Sequence, residues 1–155
     1  MNAFISILNP AVLDTCPFCS FRETIFHCFL YCCRLTPLFT LLRSLLNSFG
    51  EKFSEQVFIF CFSYGKMKKK KGRLINFLFG QAKLAIYYSR KQKIDSGQAK
   101  ECVATFKGLV KARILLDFKY YEQMKDLDSF KNIWDVDGVL FSFVDGELHF
   151  LHGIG

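Results

Sequence analysis

Five of the seven cysteines lie between Cys16 and Cys33, and three of them share with His27 the spacing Cys16-x2-Cys19-x7-His27-x4-Cys32. Three thiolates and an imidazole are a ligand set that tetrahedral zinc takes in structural sites. The Cys-Pro-Phe-Cys turn supplies two of them, and a helix that follows brings the other two back over it. All four positions are then filled by protein, so the metal is expected to fold the segment and not to catalyse. An odd number of cysteines without secretory context argues against a disulfide scaffold. The competing reading is a set of ordinary buried cysteines in a Phe-rich core, with His27 bonded to a carbonyl.

Ser20 and Glu23 have the spacing of a capping box, which predicts a helix from about Phe21 to Cys32. On an ideal helix five residues rotate by about 500°, which would leave His27 and Cys32 pointing about 140° apart. The helix is therefore expected to unwind or tighten near Leu30 to Cys33. Cys33 is the natural substitute if Cys32 points away, and Cys28 is a weaker one.

Beyond the knuckle, Thr36-Pro37 reads as N-cap and first residue of a helix, with Leu38, Leu41, Leu42, Leu45, Leu46 and Phe49 at helical spacing and Gly50 as its end. The run Val57 to Phe62 fits a short strand or a buried helical turn, with a lean to helix. Residues 65–73 read as a basic linker. A helix from Leu74 to about Arg90 follows, broken over Lys91 to Gln98, and Ser96-Gly97 opens another that ends near Asp128. After that the period changes from helical to alternating. Asp137-Gly138 and Asp145-Gly146 each sit between β-rich runs as hairpin turns, predicting a three-stranded meander near 133–136, 139–144 and 147–152. The fold class is α+β, mainly helical, with an N-terminal zinc knuckle and a small C-terminal antiparallel β-meander. Three regions follow: 1–50 with the knuckle and flanking helices, 51–130 helical with the linker 65–73, and the tail 131–155.

Charge is segregated along the chain. Residues 1–65 are neutral, residues 66–113 carry 14 Lys and Arg against 2 Asp and Glu, and residues 114–155 carry a net −5. Lys66, Lys68, Lys69, Lys70, Lys71 and Arg73 place six cations within eight residues, dense enough to displace counterions from a phosphate backbone. With Tyr64, Tyr87 and Tyr88 as stacking surfaces, single-stranded DNA or RNA is the expected partner, read without sequence preference. The same lysines also fit a solvated loop or a nuclear import signal. No apolar run approaches the roughly 18 residues of a membrane span, and no signal peptide is evident. An intracellular protein is expected, with nucleus and cytoplasm not separated. His149 and His152 do not read as a second metal site, because residues three apart on a strand point to opposite faces.

The segment Cys16-Pro17-Phe18-Cys19, Arg22-Glu23-Thr24, His27-Cys28-Phe29 and Cys32 resembles the zinc-binding segment near the C-terminal end of LINE-type (non-LTR) retrotransposon reverse transcriptases. Glu23-Thr24-x2-His27 is its most specific part. Leu74 to Lys83, Ser89-Arg90-Lys91 and Phe130 to Trp134 are similar to the tail that follows the knuckle in fish elements of this kind. The resemblance implies Cys16, Cys19, His27 and Cys32 as ligands of structural Zn2+, and a part in positioning nucleic acid after the polymerase. A polymerase needs paired Asp residues to hold two metal ions, and this chain has no Asp-Asp. It is expected to be no enzyme and to act on no small-molecule substrate. It reads instead as a nucleic-acid-binding accessory module, or alternatively as a structural or interaction remnant that docked to a polymerase domain absent from this chain.

Overall fold

The computed structural model describes residues 6–61, 69–151 and 153–155. After a π-helical turn, His27–Tyr31, and a 3-10 turn, Cys33–Leu35, come five α-helices: α1 Thr36–Ser48, α2 Glu55–Phe60, α3 Lys69–Ser96, α4 Cys102–Gln123 and α5 Leu127–Trp134. Strands β1 Phe141–Val144 and β2 Glu147–Phe150 close the chain. The architecture is mainly helical, with an N-terminal Cys/His cluster and a small C-terminal antiparallel sheet.

The long helices α3 and α4 pack on each other, with α1 against α4 and α5 on its far end. Along α1 the buried Leu38, Leu42, Leu45 and Leu46 form one stripe, and Gly50 ends the helix region at φ +71°, a conformation that costs glycine nothing. Much of the phenylalanine content packs inside. Phe39, Phe53, Phe58 and Phe79 form one cluster of tilted and edge-on rings with centroids 5.3–6.1 Å apart. Phe118, Phe130, Phe141 and Phe143 form a second beneath the hairpin. Such pairs add about 0.5–1.5 kcal/mol each beyond the area they bury. The buried side chains, from Cys16 to Ile154, belong to one continuous core.

Several expected boundaries move. The run from Val57 is helical, as α2, capped by the Ser54 side chain. Lys69, Lys70, Lys71 and Arg73, expected in a linker, form the first turns of α3, because lysine is a good helix former and nothing in 69–73 but Gly72 opposes it. Residues 65–68 of that linker lie outside the described residues. The break expected from Lys91 does not occur, and α3 runs on to Ser96. Gly97, expected to open the next helix, instead ends this one at φ +73°. The helix expected to reach Asp128 stops at Gln123, and Asp126 caps α5 by accepting from the Ser129 amide.

Of the three expected strands, the first is not one: residues 133–134 finish α5 and Trp134 is buried against Phe77. Tertiary packing overrides the β-rich composition there. The other two pair in the register Val144↔Glu147 to Phe141↔Phe150. Asp145 and Gly146 between them have φ +51° and +84°, as a two-residue hairpin turn of the primed type requires. Asp137 and Gly138 also have positive φ, at +55° and +62°, although their turn joins α5 to β1. Among the described residues no helix is long and apolar enough to cross a membrane.

Candidate metal centre

Residues 14–23 form a narrow ribbon. The Cys16 amide donates to Phe21 O at 2.8 Å and the Glu23 amide to Asp14 O at 2.8 Å, with Thr15 and Arg22 bridged between them. This folds Pro17 to Ser20 into a tight turn and turns Cys16 and Cys19 to the same side. Ser20 and Glu23 do not form the expected capping box. The ribbon consumes residues up to Arg22, and the helical segment starts later, where Thr24 Oγ1 accepts from the His27 amide at 3.0 Å.

The angular problem between His27 and Cys32 is solved by the backbone. The Cys32 amide donates to His27 O at 2.9 Å, an i to i+5 bond. The i to i+5 bond widens the turn beyond that of an α-helix, which brings Cys32 back toward the face that carries His27. Single π-turns recur at functional sites. The expected irregularity is thus a loosening, and it begins at His27, earlier than Leu30.

Cys16, Cys19, His27 and Cys32 come together with their ligand atoms all within 4.8 Å of one another. Cys16 Sγ and Cys32 Sγ are 3.7 Å apart, and Cys19 Sγ and His27 Nε2 are 3.2 Å apart. A tetrahedron with zinc–sulfur arms of about 2.3 Å and a zinc–nitrogen arm of about 2.0 Å has edges of about 3.5–3.8 Å. The sulfur–sulfur separation falls inside that range and the sulfur–nitrogen one lies about 0.3 Å below it. Cys16, Cys32 and His27 are buried and Cys19 is half-buried. Cys33 is exposed and Cys28, though buried, stands outside the cluster, so it is Cys32 that joins the other three.

The surroundings suit thiolates. Each sulfur is approached by the backbone amide two residues on: Phe18 N to Cys16 Sγ at 3.5 Å, Phe21 at Cys19 and Arg34 at Cys32. Without a cation the balance goes the other way. Burial pushes the Cys32 thiol up to about 12, against the lowering pull of the Arg34 amide and with further upward pressure from Cys16. Burial also raises Cys19. Cys19 and Cys32 are thus held toward their protonated forms until a positive charge arrives beside them, as a bound metal ion would supply. The Cys3His cluster is consistent with a structural zinc site.

A contact the sequence did not reveal ties this ribbon to the helices: buried Glu23 is clamped by Arg90 of α3. A second joins the knuckle to α3 and α4. The Arg34 guanidinium lies over the Phe18 ring at 3.9 Å and donates to Ile86 O of α3 at 3.4 Å and to Cys102 Sγ of α4 at 3.1 Å.

The basic block is partly dispersed. Lys71 pairs with Glu51 at 2.9 Å and Lys70 donates to Lys131 O at 3.1 Å, whereas Lys69 and Arg73 are exposed. Lys66 and Lys68, like Tyr64 and His152, lie outside the described residues. Tyr87 and Tyr88 are exposed but stand about four helical turns along α3 from Lys71, and so are not beside it.

Over 127 residues, 82% of this chain, the sequence is 39% identical to the Transposon TX1 uncharacterized 149 kDa protein of Xenopus laevis. The match occupies 10% of that protein, so the chain spans about a tenth of the relative it matches. No family model and no solved structure matches. The chain is thus related in sequence, over most of its length, to a transposon protein.

Proposed function

We propose that the chain is a zinc-stapled, non-catalytic accessory module of a transposon protein that binds nucleic acid, corresponding to the zinc-binding C-terminal segment of a LINE-type reverse transcriptase. Cys16, Cys19, His27 and Cys32 are the zinc ligands. The observation that carries this reading is the closure of a four-ligand cluster, in which no position is left for water or substrate. The likeness to a transposon protein supports the setting.

Nucleic-acid contact is assigned to the block Lys66, Lys68, Lys69, Lys70, Lys71 and Arg73. It is supported by the net +12 of residues 66–113 and by the outward placement of Lys69 and Arg73. The test is binding of a mixed-sequence single-stranded oligonucleotide across a salt series. Affinity should fall steeply with salt, and Lys66, Lys68, Lys69 and Arg73 changed together to Gln should abolish it. Retained affinity in that variant contradicts the assignment.

A second reading is favoured by Phe21, 71% exposed, and Phe26, 56% exposed: docking of the knuckle onto another part of a longer protein. Apolar docking is insensitive to salt, so the same titration separates the two.

A further inference from the structure

The middle helix carries an unusual charge pattern. From Lys69 to Ile94, α3 contains eight Lys and Arg and no Asp or Glu. Helices exposed on one side normally interleave opposite charges at i, i+4. Five of the eight cations are held by the protein itself: Lys70 by Lys131 O, Lys71 by Glu51, Lys83 by Ile59 O, Arg90 by Glu23 and Lys93 by Gly97 O. Lys69, Arg73 and Lys91 are exposed and have no partner among the described residues. At about 100° per residue, these three fall with Leu84, Tyr87 and Tyr88 inside one sector of about 100°. The outer face of α3 is therefore a line of cations at one end, two tyrosines toward the other, and a further cation beyond them.

Tyr87 and Tyr88 are 41% and 44% exposed, and their ring centroids are 5.7 Å apart at an interplanar angle of 57°. Neither hydroxyl has a hydrogen-bond partner among the described residues, so the rings stand out from the helix without being tied to it. From Lys69 to Lys91 the helix advances about 33 Å, the length of about ten stacked nucleotides at 3.4 Å each. Phosphate-binding cations on either side of exposed aromatic rings suit a single strand, because its bases, unlike those of a duplex, are free to stack on side chains.

We propose that a single nucleic-acid strand lies along the outer face of α3, with Lys69, Arg73 and Lys91 on its phosphates and Tyr87 and Tyr88 stacking on its bases. This rests on the nucleic-acid reading above and extends the contact surface some four turns beyond the lysine block. Clamping by Glu23 removes Arg90 from the track and fixes the helix end that presents the tyrosines.

The test uses the full chain loaded with zinc and fluorescent dT12, U12 and a 12-base-pair duplex, read by anisotropy at low and moderate salt. Both single strands, or either one, should bind more tightly than the duplex. Tyr87→Ala with Tyr88→Ala should weaken single-strand binding about tenfold or more with the salt slope unchanged, while Tyr87→Phe with Tyr88→Phe should restore it, since stacking needs the ring and not the hydroxyl. Lys69, Arg73 and Lys91 changed to Gln should lower the salt slope by about 2. Zinc content and far-UV circular dichroism equal to the parent show that the variants are folded. Unaltered affinity in the double alanine variant, equal binding of duplex, or equal competition by polyglutamate overturns the track. If those results came with loss of binding in the variant lacking Lys66, Lys68, Lys69 and Arg73, the nucleic-acid reading would survive without it. No binding by the parent sinks both.

Discussion

Arg90 grips Glu23 from 67 positions away in sequence, Nε donating to Oε1 at 2.8 Å and Nη2 to Oε2 at 2.6 Å, with Glu23 only 1% and Arg90 only 7% exposed. Glu23 lies between Cys19 and His27, so this pair fixes the metal ribbon to the end of α3. Removing one partner strands the other charge out of water. Glu23→Ala or Arg90→Ala should each destabilise the chain by about 3–5 kcal/mol, and Glu23→Leu with Arg90→Met should cost much less than either. Urea unfolding of the zinc-loaded protein measures this, and equal loss in the single and double variants would contradict it.

Cys32 and Cys33 are adjacent but not equivalent. The π-turn delivers Cys32 to the cluster and leaves Cys33 exposed. Cys33→Ser should keep zinc at the parental stoichiometry, and Cys32→Ser should lose most of its affinity. Competition with a chromogenic chelator reads the difference; a Cys33→Ser variant that released zinc as readily would reverse the assignment.

The pH dependence has opposite signs with and without metal. In the metal-free chain the Cys32 thiol is raised from 9.0 to about 12, so it stays protonated in the folded state after the unfolded chain has ionised. Stability from this group is complete below about pH 9 and declines as pH climbs from there toward 12. The zinc-bound chain needs thiolates, so protons compete with the metal and zinc affinity falls as pH falls. Denaturation midpoints of the metal-free protein above pH 8, and chelator competition between pH 8 and pH 5, test each arm.

Phe58 is wholly buried, with three rings around it, none of them part of the Cys/His cluster. Phe58→Ala should cost about 3–5 kcal/mol by leaving a cavity. Zinc stoichiometry should not change, which separates loss of core packing from loss of metal in thermal scans.

How much of this was legible depends on the range of the interaction. That Cys16, Cys19, His27 and Cys32 come together is readable because residue type and spacing are local, and the 140° mismatch between His27 and Cys32 already demands an irregular turn. That the solution is a π-turn was not readable, since it depends on where the cluster pulls Cys32. Glu23 looked like half of a capping box because Ser20 stands three residues before it; its true partner, Arg90, leaves no local trace. Ile133-Trp134 has strand-like composition, yet Asp126 starts a helix and Phe77 supplies a surface for Trp134. Lys69 to Arg73 looked like a linker because charge runs are usually solvated, whereas lysines extend a helix readily when its apolar face is already anchored by Leu74 and Leu78.

Zinc stoichiometry tests the central claim most directly: protein purified without added metal, compared with a Cys16→Ser, Cys19→Ser double variant. One zinc per chain in the parent and none in the variant is the expected result. A parent that holds no zinc when offered it, or a variant that binds it undiminished, would contradict the account.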